Sequence, residues 1–263
     1  MLTPAQIKAR DGKLTASRIA CLMTGDEAKI LNLWREMIGD PDYALEDLSG
    51  VWPVQLGTCT EGLHLDWIER KAGPVTRRGE VAVHPAIEWA ACTLDGWDAA
   101  RACPVETKHV GGFEPRATVI DRYMPQVHWQ MIVTGASMCI LSIIEGAKEP
   151  VGEEIPLDES YAAELMARAE TFMECVRTLT PPVALPAVAA PLIPERVADM
   201  SASNEWGEYA ATWLETRDAA RKAAVAEKSI KTLVPADAKR AHGCGVEITR
   251  DRAGRLSLKE QKT

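Results

Sequence analysis

Residues 138–146 read MCILSIIEG, an apolar run interrupted only by Ser142 before it reaches Glu145. A run of this length, rich in isoleucine and closed by a glycine, reads as a strand. Its lack of polar alternation means that both faces are covered. One such strand commits the chain to a sheet with cover on both sides, and so to a layered α/β fold. The 263 residues, 46% of them hydrophobic, suffice for one large domain, or for one domain with an appendage.

The flanking segments supply the layers. LTASRIACLMTG starts with turn-and-cap chemistry, Thr15 or Ser17 capping a short helix that carries Ile19, Ala20 and Met23. Residues 28–38 have Ile30, Leu33, Trp34 and Met37 at helical spacing, and a loop follows through Pro53. VQLGTCTEGLHLDWIERKAGP reads as a helix stopped at Gly73-Pro74, with Glu61, Leu65 and Ile68 on one face. After Pro74 the period changes to two, predicting strands over 75–83, 89–95 and 104–110. YMPQVHWQMIVTG returns to helix, EEIPL reads as an edge strand, and 158–178 as an amphipathic helix. TPPVALPAVAAPLIPE holds too many prolines for a helix or a central strand, so it links or wraps. A helix near 204–227 and a hairpin turning at Ala253-Gly254 complete the chain. The expected division is a core over 1–179, a Pro/Ala-rich linker over 180–197, and a helical and hairpin extension over 198–263.

The net charge of −8 argues against a nonspecific nucleic-acid coat protein. The charge is uneven. Residues 1–194 carry 17 basic and 27 acidic side chains, whereas 195–263 carry 13 and 11. From Lys228 onward the count is 9 basic to 4 acidic, which suits either a solvated tail or a DNA contact through Lys228, Lys231, Lys239, Arg240, Arg250, Arg252 and Arg255. Seven cysteines are scattered without a C-x-x-C pair, so no zinc ribbon or redox motif is indicated. With neither a signal peptide nor a membrane-length apolar run, the chain is expected in the cytoplasm with reduced thiols. His64, His109 and His128 lack metal-ligand spacing and are expected to be packed or exposed.

Chemistry concentrates in ACTLDGWDAARACPVETKHV, residues 91–110. Folded as an antiparallel hairpin about Ala100 and Arg101, this stretch sets Asp95 opposite Glu106 on one face. Like charges so placed repel unless a cation lies between them. All-oxygen ligation suits Mg²⁺ or Mn²⁺, and the Thr107 backbone carbonyl can add a further ligand. Lys108 shares the face of Glu106 and can position water or stabilise charge on a phosphoryl group. Metal, carboxylates and lysine together suit in-line phosphodiester hydrolysis. The plainer reading is a surface hairpin with ordinary charges. Against it, Cys92, Leu94, Val105 and Thr107 place the hairpin in a core-facing sheet.

Four stretches, in this order, resemble the lambda-exonuclease or YqaJ-like viral recombinase family of the PD-(D/E)xK nucleases. They are SRIACLM, GTCTEGLHLDW, TLDGWD with VETKHV, and YMPQVHWQM. The resemblance covers about residues 14–178, and Leu94 stands where the family usually has proline. It implies a restriction-endonuclease-like fold, a central mixed β-sheet flanked by helices, here with a C-terminal helix and β-hairpin extension. It implies metal binding by Asp95 and Glu106 with Glu61 assisting through water, two ions, Lys108 acting on water, and Gln126 supporting the site. Arg18, beside Ser17, matches the arginine that contacts DNA phosphate, and Tyr123 matches the first residue of the Tyr-x-x-Gln motif. The implied activity is 5′→3′ digestion of duplex DNA ends in phage-type recombination, inside the bacterial host. A 3′ overhang would pass to a single-strand annealing protein, and the enzyme would be a ring, commonly a homotrimer.

Each assignment has a bland counterpart. Arg18 could simply pair with an acid, Glu61 could face solvent, and Gln126 and Gln130 could be surface amides on one helix face. Asp98 fits a loop. Trp97 and Trp129 suit the core, while Trp52, in the preceding loop, is better placed to touch DNA. Rival functions are an endonuclease or Cas4-like nuclease on the same fold, which the unclustered cysteines disfavour for the latter, and a non-catalytic DNA-binding protein with a degenerate nuclease fold.

Overall fold

The computed structural model describes residues 3–193 and 199–261, and the chain divides into two compact units, Met1–Pro194 and Glu195–Thr263. The first unit opens with α1 (Pro4–Ala9), β1 (Leu14–Thr15) and α2 (Ala16–Ile19), which continues as a 3₁₀ turn to Met23. Next come α3 (Glu27–Met37), α4 (Trp52–Ala72), β2 (Val75–Thr76), β3 (Val81–His84), β4 (Ile87–Thr93), β5 (Gly96–Asp98) and β6 (Cys103–Val110). It closes with α5 (Arg116–Thr134), β7 (Met138–Glu145), β8 (Val151–Pro156) and α6 (Glu159–Arg177).

β7 is the buried strand its sequence demands, with Cys139, Leu141 and Ile143 wholly inaccessible. It pairs parallel to β6 and antiparallel to β8 within a five-stranded mixed sheet ordered β2-β5-β6-β7-β8. A parallel pair needs a crossover, and α5 provides it. β8 lies at the sheet edge, as EEIPL predicts. A second sheet, β1-β4-β3, carries the strand expected at 89–95.

The sequence predicts one hairpin joining 90–97 to 104–110. Only its tip forms: Gly96, Trp97 and Asp98 face Val105, Pro104 and Cys103. The register is the predicted one, but β4 belongs to the other sheet. The chain bends at Leu94 and Asp95 to pass between sheets, with Leu94 held by Glu80 and Gly79. Asp98, at the end of β5, is buried and caps the turn by accepting from the Ala100 and Arg101 amides.

Side chains tie the layers together. The Trp129 indole in α5 donates to the Ala91 carbonyl at 2.9 Å, and the Trp34 indole in α3 donates to Cys175 at 3.1 Å. Leu65 and Ile68 bury one face of α4, each contributing about 2 kcal/mol by area removed from water. Helix α4 comes close because residue 96 is glycine: a Cβ there would lie 2.6 Å from Val75 Cγ1 and 2.9 Å from Leu65 Cδ2. His128 is a packed histidine, as expected. It receives the Asp158 amide at Nε2, so Nδ1 carries the proton donated to Met124. Thr15 is the N-cap of α2, but its hydroxyl makes no capping bond. The Pro-rich segment wraps: the Val188 amide donates to Met23 at 2.9 Å, and Ala187 N would sit 2.8 Å from a Cβ on Gly25. Residues 194–197 of the expected linker lie outside the described residues.

The second unit contains α7 (Asn204–Thr232), longer than predicted, and β9 (Arg240–Gly243), β10 (Val246–Arg250) and β11 (Leu256–Glu260). The expected hairpin is β10-β11, and β9 adds a third antiparallel strand. Cys244 and Gly245, both at positive φ, make the tight β9-β10 turn. No helix among the described residues is long and apolar enough to cross a membrane.

Candidate active site

A cleft of about 270 Å³ opens in the first unit, lined by Glu61, Asp95, Glu106, Lys108 and Gln126 together with Arg10, Thr15 and Ser17. Four elements deliver the acids and amides. α4 presents Glu61, the bend before β5 presents Asp95, β6 presents Glu106 and Lys108, and α5 presents Gln126.

Asp95 does not sit in a ladder opposite Glu106. Having left the strand at the bend, it turns its Oδ2 to Thr107, accepting from the amide and the hydroxyl, each at 2.8 Å. Glu106 is 1% exposed. Its Oε1 accepts from Gln126 and Oε2 from Gln130, each at 2.5 Å, and Oε1 also pairs with the Lys108 ammonium. Gln130 is therefore a buried member of the site and not a surface amide. Tyr123 lies beneath Lys108, whose Nζ is 4.8 Å from the ring centroid.

Burial, followed by the negative charge of Asp95, raises Glu106 to about 7, against the opposing pull of Lys108 and Gln130. Glu61 is raised for the same two reasons in the same order. Burial alone would lower Lys108, but the facing carboxylates Glu106 and Asp95 outweigh it and raise its pKa, keeping the side chain an ammonium. As an ammonium it can donate hydrogen bonds and stabilise anionic charge, but cannot take a proton.

Among the described residues, no three His, Cys, Asp or Glu side chains form a ready-made cage for an ion. The donor set still fits a hard divalent cation. It is all oxygen, and both Glu61 and Glu106 are burdened by the charge of Asp95, a repulsion that a cation relieves.

The structure separates the two arginines near the N-terminus. Arg18, predicted to reach DNA, is absent from the cleft lining: it donates to the Lys13 carbonyl at 2.8 Å and pairs with Glu36. The guanidinium in the cleft belongs to Arg10. It donates to Thr15, Ser17 and Thr93 hydroxyls at 3.1, 3.4 and 3.3 Å, and makes no ion pair among the described residues. Burial, then the charge of Arg18, lowers its pKa. Its position depends on α1, docked through Gln6 Nε2 to the Gly79 carbonyl at 2.6 Å. Nothing local in KARDGKLTAS singles out Arg10, because one of its partners lies 83 residues away. Trp52 is not in a loop: it is the first residue of α4, 68% exposed, and does not line the cleft.

Residues 7–137 match the model of the YqaJ-like viral recombinase domain. Solved structures share the fold. The alkaline exonuclease LHK-Exo from Laribacter hongkongensis is 23% identical, with a TM-score of 0.56, covering 68% of this chain and 94% of that one. The same protein in complex with dAMP is 24% identical at the same TM-score and coverage. A phage related exonuclease from Haemophilus somnus 129PT is 12% identical, with a TM-score of 0.52, covering 64% of this chain and 94% of that one. No curated protein sequence matches significantly. Glu61, Asp95, Glu106, Lys108, Gln126 and Arg10 all fall within the segment, residues 7–137, that is similar to the YqaJ-like viral recombinase domain.

Proposed function

We propose that the chain is a Mg²⁺-dependent exonuclease that digests duplex DNA from its ends, 5′→3′, leaving 3′ overhangs for recombination. The observation that carries this reading is the meeting of three acids and a half-buried ammonium in one cleft beside an arginine that has no carboxylate partner among the described residues. Asp95, Glu106 and the Thr107 carbonyl would hold the metal, with Glu61 reaching it through water. Two ions, Mg²⁺ or Mn²⁺, suit the acid count. The metal would supply Lewis-acid polarisation of the scissile phosphate and acidify a water.

The chain's own groups have distinct tasks. Gln126 and Gln130 fix the Glu106 carboxylate, and Thr107 fixes Asp95. Lys108, clamped between Glu106 and Tyr123, stabilises negative charge on the phosphoryl oxygens. Arg10 with Thr15 and Ser17 forms a pocket for a terminal phosphate, the planar guanidinium gripping two oxygens. A pocket for a chain end favours exonuclease over endonuclease action. The resemblance extends the proposal to a ring-shaped homo-oligomer, commonly a trimer, and to a single-strand annealing protein as partner.

The test is digestion of linear duplex with and without a 5′-phosphate, in Mg²⁺ and in EDTA, beside a covalently closed circle. Mg²⁺-dependent loss of the linear substrate alone, faster with the 5′-phosphate, is expected. Cleavage of the circle would assign an endonuclease, and no cleavage of either would leave a DNA-binding protein.

A further inference from the structure

Helix α7 runs for 29 residues and buries none of them. Within the second unit, Ile248 is the one hydrophobic side chain that is fully buried among the described residues. Yet α7 exposes Trp206, Tyr209 and Trp213 at 56%, 65% and 63%. Spaced by three and four, they lie on one helix face, and the same seam continues through Thr216, Ala220, Ala223, Glu227 (paired with Lys231) and Ile230. Large aromatic side chains in water along one stripe mark a surface that docks.

The charges indicate what docks. Residues 204–216 carry Glu205, Glu208 and Glu215 and no base, whereas 217–232 carry five bases against Asp218 and Glu227. We propose that α7 pairs antiparallel with α7 of a second copy of this chain, about a two-fold axis at Asp218. Trp213 of one copy then stands level with Ala223 of the other, Trp206 with Ile230, and Thr216 with Ala220. Trp213 thus meets a small side chain and Trp206 an apolar one, while Tyr209 stands level with Glu227. Glu205, Glu208 and Glu215 stand level with Lys231, Lys228 and Arg221, so the acidic half of each helix lies along the basic half of its partner. Parallel pairing would instead stack tryptophan on tryptophan and like charge on like. The helix macrodipole accounts for acids first and bases last in a lone helix, but not for three exposed aromatics on one face. The exposed aromatic stripe and the split of charge along the helix, two separate features, select the same partner and the same direction.

The contact is isologous. It is independent of the nuclease reading and of how the first units associate: it joins two chains, or two rings, and its loss halves the particle mass either way. The test is light scattering on the full chain. Trp213→Glu, and separately Trp206→Ser, should halve the mass while helix content by circular dichroism is kept. The triple change of Glu205, Glu208 and Glu215 to Lys should do the same, as should Arg221, Lys228 and Lys231 to Glu, and an equimolar mixture of these two chains should regain the parental mass. With Cys59 and Cys244 replaced by serine, spin labels at 205 should lie about 39 Å apart along the axis and labels at 216 about 6 Å apart, from the rise per residue. A mass unmoved by the tryptophan changes, a mixture that stays dissociated, or short separations at both label sites overturns the proposal.

Discussion

Gln130 donates its amide to Glu106 Oε2 at 2.5 Å from a wholly buried position on α5. Gln126, one turn earlier, takes Oε1. Together they hold a carboxylate that would otherwise be a buried charge with too few donors. Gln130→Leu should cost about 2 kcal/mol of stability, the usual penalty for stranding a buried polar partner. It should also slow DNA digestion by about tenfold or more. Thermal unfolding and single-turnover cleavage measure the two effects. A fully active Gln130→Leu would remove the amide from the site.

Lys108 lies between Glu106 and the Tyr123 ring. Lys108→Ala should lower the cleavage rate by about 10²–10³-fold, typical of losing one preorganised stabilising group, and leave duplex binding within about threefold. Rate and binding assays on the same preparation separate these. Equal loss of both would mean that Lys108 only binds.

Two arginines make a paired test. Arg10→Ala should abolish the preference for 5′-phosphorylated ends and slow their digestion by about 10-fold or more, without large loss of stability, because a charge-assisted phosphate contact contributes about 1.5–3 kcal/mol. Arg18→Ala removes the pairing with Glu36 and the bond to Lys13, so it should lower the melting temperature and keep the phosphate preference. A reversal of the two phenotypes would return the phosphate to Arg18.

Gly96→Ala inserts a methyl where Val75 and Leu65 already stand within 3 Å. Both neighbours are buried, Val75 on β2 and Leu65 on α4, so relief shifts these side chains and the elements that carry them. The change should cost about 1–3 kcal/mol, as overpacking does, and weaken metal-supported cleavage by displacing Glu61 on that helix. Chemical denaturation and the Mg²⁺ dependence of cleavage report each part.

His64 gives a pH signature. It is 1% exposed, its Nδ1 lies 2.8 Å from Ser142 Oγ, and burial, then the charges of His109 and Lys108, lowers it to about 4. Between about 6.5 and that value the unfolded chain holds a proton that the native chain refuses. Stability should therefore fall as pH drops through this window, with a slope of up to about 1.4 kcal/mol per pH unit from this group. His64→Gln should flatten that slope, and urea unfolding from pH 7 to 4 measures it. Parallel slopes would show that His64 already titrates normally in the native chain.

Much of the fold is legible along the chain. MCILSIIE announces a buried central strand, and the change of period after Pro74 announces sheet. The residues facing one another across the β5-β6 turn follow from where that turn sits. All of these depend on neighbours a few positions apart. The acids and lysine of the cleft are likewise visible, because charges inside a core-facing sheet need a reason. The bend at Leu94 and Asp95 is not visible, since only the packing of two sheets decides that β4 leaves before β5 begins. Gln130 looks like any helix-surface amide until Glu106 is packed against it.

The amino-acid order by itself determined the longer helices and the buried central strand, which pair of strands forms the turn beside the cleft, and which carboxylates and ammonium are available for chemistry. Tertiary structure alone decided that Asp95 leans on Thr107, that Arg10 and not Arg18 enters the cleft, and that α7 is left with an aromatic stripe bare. The reason is range. Periodicity and turn chemistry are set by contacts within a few residues, whereas the partner of a long polar side chain is chosen among groups that only the folded chain brings near, such as Thr93 for Arg10 at a separation of 83 residues.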